Sequence, residues 1–202
     1  MATKRDEKNR IDGRSLRSER SRQMIADALY ELVGEGVLLP TGEQVALRAG
    51  LSLRTVFRLF DDRDGLFRSM DERLRAEIMP QLEKSPPAGY DLNERALALL
   101  SENCSIWERC EPYLRSTKLQ MMGSEYLTRS YARLIEEGRS RLIRWIPELA
   151  DGSPDLLEAM HMCVSFEAWD RLRSVQGLGR ARTRATLQRV LTGLLNELRA
   201  DG

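Results

Sequence analysis

Apolar residues recur every three or four positions along most of this chain, and that spacing constrains the fold more than any other feature. In the stretch that begins at Arg17, one helical face is formed by Ile25, Ala28, Leu29, Leu32 and Val33. The sequence has no run of alternating β-branched residues, the pattern that is typical of half-buried strands. We therefore predict an all-α protein with about nine helices.

Glycine, proline and capping residues divide the helical pattern into segments. Residues 1–16 are polar and aperiodic, which predicts a flexible arm. Thr41 and Gln44 form a capping-box signature, Ser52 can cap the next helix, and Pro112 suits the first turn of another. The predicted helices cover residues 17–34, 43–49, 53–60, 63–83, 92–110, 112–122, 124–146, 154–175 and 182–200.

Two of these predicted helices are short and meet at a tight turn between Ala49 and Ser52. Gly50 supplies the positive φ that such a turn often needs. The positions spaced to pack both helices against the first helix are Val45, Ala46, Ala49, Leu51, Val56 and Phe60. The positions left on the outer surface or its margins are Leu53, Arg54, Thr55, Phe57, Arg58 and Leu59. The pattern predicts a helix-turn-helix domain over residues 17–62, whose second short helix enters the major groove of DNA.

The stretch from Arg22 to Phe67 resembles the TetR family of bacterial one-component transcriptional regulators. The resemblance lies in the amphipathic first helix, the helix-opening Thr41, the Ala49-Gly50-Leu51-Ser52 turn and the Thr55–Phe60 segment. Four positions depart from the common pattern: Leu53 replaces a frequent lysine or arginine, Arg54 a glycine, Phe57 a tyrosine and Leu59 a histidine. These departures bear on which operator is read rather than on the mode of binding.

The candidate DNA-binding residues are Thr41, Leu53, Arg54, Thr55, Phe57, Arg58 and Arg22. Arg54 can pair with a guanine or a phosphate, and Phe57 can contact a thymine methyl group or belong to the core. Thr41 and Thr55 can cap helices and contact phosphates at once, whereas Arg58 is either a phosphate clamp or half of an ion pair. Residues 1–22 carry a net charge of +4 from eight bases and four acids. They are either a solvated run or a basic arm for the minor groove.

The resemblance implies that residues 63–202 form a helical bundle that binds a small ligand and dimerises. Independently, the last two predicted helices carry wide apolar stripes, and two such helices from each subunit would form a four-helix interface. The alternative left open is that both stripes are buried within one subunit. The candidate interface residues are Val164, Ala168, Leu172, Leu187, Val190, Leu191, Leu194 and Leu198.

All three tryptophans and several methionines lie outside the helix-turn-helix segment, which predicts a mostly apolar pocket for an apolar, aromatic or flat effector. We expect a cavity of about 300 Å³ or more. The candidate ligand-binding residues are Trp107, Met121, Met122, Trp145, His161, Glu167 and Trp169. Arg115 is a further polar anchor, and the alternative for each residue is an ordinary place in the core.

The sequence carries no metal-ligand spacing, phosphate-binding loop, dinucleotide fingerprint or nucleophile elbow, and it has one histidine. We therefore expect no enzymatic activity, cofactor or metal. The three cysteines, Cys104, Cys110 and Cys163, are too few and irregular for a disulfide framework, which fits a reducing cytoplasm. We expect neither a secretory signal nor a membrane span.

These observations predict a homodimeric regulator that binds a pseudo-palindromic operator, acts as a repressor and is released by a small apolar effector. An activator or a ligand-independent regulator is the first alternative. A helical adaptor or a small enzyme is the second. The sequence does not identify the effector, the operator or the regulated genes.

Overall fold

The computed structural model describes the backbone of residues 4–60, 63–150 and 152–200, and the side chains of residues 16–59, 64–150 and 152–200. Within these ranges the protein is all-α and contains no strand, which confirms the predicted class. Its helices are α1 (Lys4–Gly34), α2 (Gly42–Ala49), α3 (Leu53–Phe60), α4 (Arg63–Leu82), α5 (Leu92–Gln120), α6 (Glu125–Trp145), α7 (Pro154–Cys163), α8 (Phe166–Asp170) and α9 (Arg180–Ala200). Short 3₁₀ turns cover Met121–Gly123 and Pro147–Ala150, and a π-helical turn covers Arg171–Val175.

The chain divides into two compact units. The first comprises Met1–Arg75 and Pro112–Arg129, and the second comprises Ala76–Glu111 and Ser130–Gly202. The first unit extends beyond the predicted boundary at residue 62 because the start of α4 contributes to its core through the buried side chains of Leu66, Phe67, Met70 and Leu74.

Two helices, α1 and α5, extend well beyond their predicted bounds. α1 begins at Lys4, so a helix replaces the expected flexible arm from residue 4 onward. Asp61 and Asp62, whose sequence predicts a turn and an N-cap before the helix from residue 63, lie outside the described residues. α5 continues through Pro112, where a new helix was expected. A proline inside a helix removes one backbone hydrogen bond, but its neighbours Cys110, Tyr113 and Leu114 are all buried, so tertiary packing outweighs that local loss.

The predicted helix over residues 154–175 is interrupted at Val164. The backbone of Val164 leaves the helical conformation at φ −94° and ψ 4°, and α7 ends there. The Ser165 hydroxyl then accepts a hydrogen bond from the Ala168 N–H at 3.2 Å and caps α8. A cap embedded in an apolar run is a weak sequence signal, which is why the break was missed.

Local signals set the turn between α2 and α3, as the sequence predicted. The Thr41 hydroxyl accepts from the Gln44 N–H at 3.2 Å, and the Gln44 side-chain oxygen accepts from the Thr41 N–H at 2.9 Å. Gly50 is left-handed at φ 65° and ψ 30°. The Ser52 hydroxyl accepts from the Thr55 N–H at 3.2 Å and caps α3. Four of the six predicted packing positions are buried: Val45, Ala46, Ala49 and Val56.

Replacing Gly50 isolates the cost of this left-handed turn, since a Cβ there would meet no atom within 4 Å. We expect Gly50→Ala to lower the free energy of unfolding by about 1 kcal/mol, because an L side chain disfavours positive φ. Gly50→Asn is the matched control and should cost less, because asparagine tolerates this conformation. Urea unfolding of both variants tests this, and equal losses would contradict a conformational cause.

Candidate functional site

The outer face of α3 carries a set of exposed side chains in the first unit. Arg54 and Arg58 are exposed, Phe57 keeps 60% of its surface in solvent, and Leu53 and Thr55 are half-buried. Leu59 was expected on the outer surface or its margins, and this expectation is wrong, since Leu59 is buried at 7% exposure. It lies three positions after the fully buried Val56 and therefore on the same helical face.

Phe57 is held against the start of α2. A Cβ on Gly42 would lie 3.5 Å from the Phe57 Cζ atom and 3.6 Å from the Leu53 Cδ1 atom, so both side chains pack over this glycine. The first N–H groups of a helix have no partner within the helix. The exposed ring of Phe57 therefore lies at the start of α2, where Gly42 follows the exposed Thr41 and the free N–H groups attract anions.

The two exposed arginines of α3 form no ion pair with any described residue. Arg48 of α2 behaves differently, because it bonds to Glu35 at 2.7 Å and Glu31 at 3.4 Å. The Arg48 guanidinium also holds the pKa of the Glu35 carboxyl below its usual value. As far as the described residues are concerned, Arg54 and Arg58 thus remain available to an external anion.

The remaining DNA-binding candidates have local partners or lie outside the described side chains. The guanidinium of Arg22 lies 3.5 Å from the carboxylate of Glu19, one helical turn earlier, and both side chains are exposed. The Thr55 hydroxyl lies 2.9 Å from that of Ser52, so part of its hydrogen-bonding capacity is used locally. The side chain of Arg14, one of the eight bases of residues 1–22, lies outside the described residues.

The second unit contains a cavity of about 230 Å³, smaller than the roughly 300 Å³ expected. Three of the predicted ligand-binding residues line it, namely Trp107, His161 and Glu167, and the sequence analysis missed Asn103 and Tyr131. Both are polar residues in helical segments, where sequence alone does not distinguish an inward from an outward position.

The other predicted ligand-binding residues do not line this cavity. Trp145 is buried, and its indole N–H donates to the Lys84 carbonyl at 2.9 Å. Trp169 is also buried and stacks on Phe166 with ring centroids 5.9 Å apart. Met121 and Met122 belong to a 3₁₀ turn of the first unit, where Met122 is 99% exposed. Arg115 also belongs to the first unit.

The carbonyl of Val164 holds one wall of the cavity in place. Because α7 ends at this residue, the carbonyl is free to accept from the Asn103 amide at 3.1 Å and from the Trp107 indole N–H at 3.2 Å. Arg141 in turn donates to the side-chain oxygen of Asn103 and to Glu102. Burial lowers the pKa of the Arg141 guanidinium, and the Glu102 carboxylate opposes that shift.

A second group of polar residues lies at the same cavity. The Tyr131 hydroxyl donates to the Glu167 carboxylate. Burial raises the pKa of Tyr131, and the negative charge of Glu167 raises it further, so the hydroxyl stays a donor. His161 Nδ1 lies 3.9 Å from the carboxylate of Glu158, which also pairs with Arg139 at 2.9 Å.

The candidate interface residues are mostly buried within the second unit. Leu187, Leu191 and Leu198 of α9 pack in its core, as do Val164 and Leu172. These five side chains are therefore buried within one subunit, which is the alternative that the sequence left open. Ala168 and Leu194 are half-buried, and Val190 keeps 48% of its surface exposed.

The described residues contain no group of three metal-ligating side chains that could hold a metal ion. Burial raises the pKa of the Cys104 and Cys163 thiols to about 11 and that of Cys110 to about 12, and all three are free. Among the helices that the structure describes, none combines the length and apolar character needed to cross a membrane.

No protein-family model matches this sequence, and no curated protein is significantly similar to it.

Glu102→Gln tests the buried network beside the cavity, because it leaves the Arg141 guanidinium, 2% exposed, beside a neutral partner. We expect a loss of about 1–3 kcal/mol in the free energy of unfolding, since Glu102 itself is partly exposed. Glu158→Gln is the matched control: its ion pair with Arg139 is exposed, so the loss should stay below about 1 kcal/mol. Equal losses in urea unfolding would contradict this role for Arg141.

Proposed function

We propose that this protein is a dimeric, ligand-responsive transcription regulator, most simply a repressor, that reads operator DNA with α3. The observation that carries the proposal is the exposed face of α3, where Arg54, Phe57 and Arg58 emerge directly after a glycine turn. The resemblance of the same segment to TetR-family regulators supports a helix-turn-helix reading of α2 and α3.

The chemistry of this face suits the major groove, which admits a helix. Arg54, at the start of α3, would read the edge of a guanine. Phe57 has no hydroxyl to bond a phosphate, so its exposed ring would make apolar contact with a thymine methyl group or a sugar, beside Leu53. Thr41 and the start of α2 would contact phosphates, as helix N-termini commonly do.

A helix-turn-helix protein usually binds two half-sites related by a two-fold axis. The edge of α9 that carries Val190 and Leu194 supports dimerisation, because it leaves apolar surface uncovered. The cavity of the second unit would hold the effector, and linkage requires that effector to favour a conformation with lower DNA affinity. An activator or a ligand-independent regulator would use the same DNA-reading face.

Arg54→Ala tests the DNA-reading role of α3. On an operator selected by gel shift from the DNA upstream of its own gene, we expect binding to weaken by about 1–3 kcal/mol, with relaxed preference at one base pair per half-site. Arg199→Ala, which removes an exposed arginine from α9, is the control and should bind normally. An equal loss on operator and scrambled duplex would reduce Arg54 to a phosphate contact, and no loss would contradict its assignment.

Val190→Glu tests the dimer without disturbing the core, because Val190 is exposed within the subunit. We expect sedimentation to show monomers at micromolar concentration, since a carboxylate buried in an interface without a partner costs several kcal/mol. Thr192→Glu places the same charge about 200° around the helix and should remain dimeric. A Val190→Glu protein that stays dimeric would place the interface elsewhere.

A further inference from the structure

We propose that the cavity of the second unit takes a small organic cation with an aromatic or alkyl body, and that the carboxylate of Glu167 holds its charge. The role of such a cation as the effector rests on the proposed function. Its binding depends on the cavity alone and can be tested without DNA.

The charge at this cavity is unbalanced at one position. Glu158 has Arg139 and His161 as neighbours, whereas Glu167 forms no ion pair with any described residue. Its described partner is the hydroxyl of Tyr131, a neutral donor that orients one carboxylate oxygen. An ionised carboxylate has two oxygens and can accept several hydrogen bonds. Glu167 is therefore an oriented anionic group with accepting capacity to spare.

The rest of the lining favours a cation over an anion. Trp107 and Phe166 meet edge to face, with ring centroids 5.9 Å apart at 66°, and both line the cavity. The two hydrogen-bond donors that α5 brings to the cavity are already used, because the Trp107 N–H and the Asn103 amide both donate to the Val164 carbonyl. Aromatic faces attract cations through the negative charge above the ring. An anion would instead meet Glu167 and Glu158.

The volume limits the size of the ligand. A cavity of about 230 Å³ is smaller than the roughly 300–1,000 Å³ of ordinary ligand pockets. This corresponds to a compact ligand with one ring or a short branched chain, rather than a drug-sized molecule. Benzylammonium, benzyl alcohol and benzoate have nearly the same size and carry charges of +1, 0 and −1 at neutral pH, so they are matched probes.

The experiment measures the affinity of the whole protein for these three compounds by titration calorimetry, with tryptophan fluorescence as a second signal. We expect benzylammonium to bind roughly tenfold more tightly than benzyl alcohol, and benzoate to bind most weakly. Glu167→Gln should abolish this preference, because glutamine still accepts from Tyr131 but carries no charge. Glu197→Gln, which removes an exposed carboxylate of α9 that does not line the cavity, should retain the preference.

Three results would overturn the proposal: equal binding of benzylammonium and benzyl alcohol, a preference that survives Glu167→Gln, or no binding of any probe at millimolar concentration. Thermal melts of both variants, followed by circular dichroism, establish that the mutants are folded. If benzylammonium binds selectively but operator DNA is not released, the cation site stands and the ligand-responsive part of the proposed function fails. If no operator is found, the calorimetry still decides the ligand class.

Discussion

Burying the guanidinium of Arg141 is the most demanding step in packing the second unit, because a charge with 2% exposure is stable only when it is paired and hydrogen-bonded. Glu102 supplies the charge at 2.6 Å, and Asn103 supplies a neutral oxygen. With its oxygen committed to Arg141, Asn103 directs its amide to the Val164 carbonyl. This requires a carbonyl that no helix uses, and the break between α7 and α8 at Val164 supplies it.

A different constraint shapes the first unit, where two aromatic residues stack in the core. The rings of Tyr30 and Tyr113 lie 4.4 Å apart at 24°. A Cβ on Gly34 would lie 2.6 Å from the Tyr113 hydroxyl, so this position tolerates no side chain without a shift of the tyrosine. Gly34 therefore admits the Tyr113 side chain of α5 to the core, and the left-handed Gly36, at φ 95°, follows the end of α1. The core in turn supports Val56 and Leu59, whose burial determines which residues α3 exposes.

Sequence reasoning succeeded where the determining interactions are local. The α2–α3 segment depends on the Thr41–Gln44 box, the left-handed Gly50 and the Ser52 cap, and each of these spans only a few residues. The predictions failed where residues far apart in the sequence determine the local structure. The continuation of α5 through Pro112 depends on burial on either side of the proline, which no local pattern reveals.

The candidate sites follow the same division. Arg54, Phe57 and Arg58 were predicted by helical spacing and are exposed as expected. The cavity was predicted from composition alone. Composition does not distinguish Trp107, which lines the cavity, from Trp145, whose N–H donates to the carbonyl of Lys84, far away in the sequence. Tyr131 and Glu167 lie 36 positions apart in the sequence, so their pairing was beyond any spacing argument.

The segment after Val164 is the least regular part of the second unit, and this bears on how a ligand could act. α8 has only five residues and passes directly into a π-helical turn, a geometry often found at functional sites. Glu167 belongs to α8, whereas Trp107 belongs to the long α5. A ligand that contacts both residues would therefore connect the irregular segment to a long regular helix. A hundredfold change in DNA affinity needs about 2.7 kcal/mol of coupling, and the same factor applies reciprocally to the ligand. A charged contact at Glu167 is of that magnitude, whereas apolar contacts that are equal in both conformations would contribute no coupling.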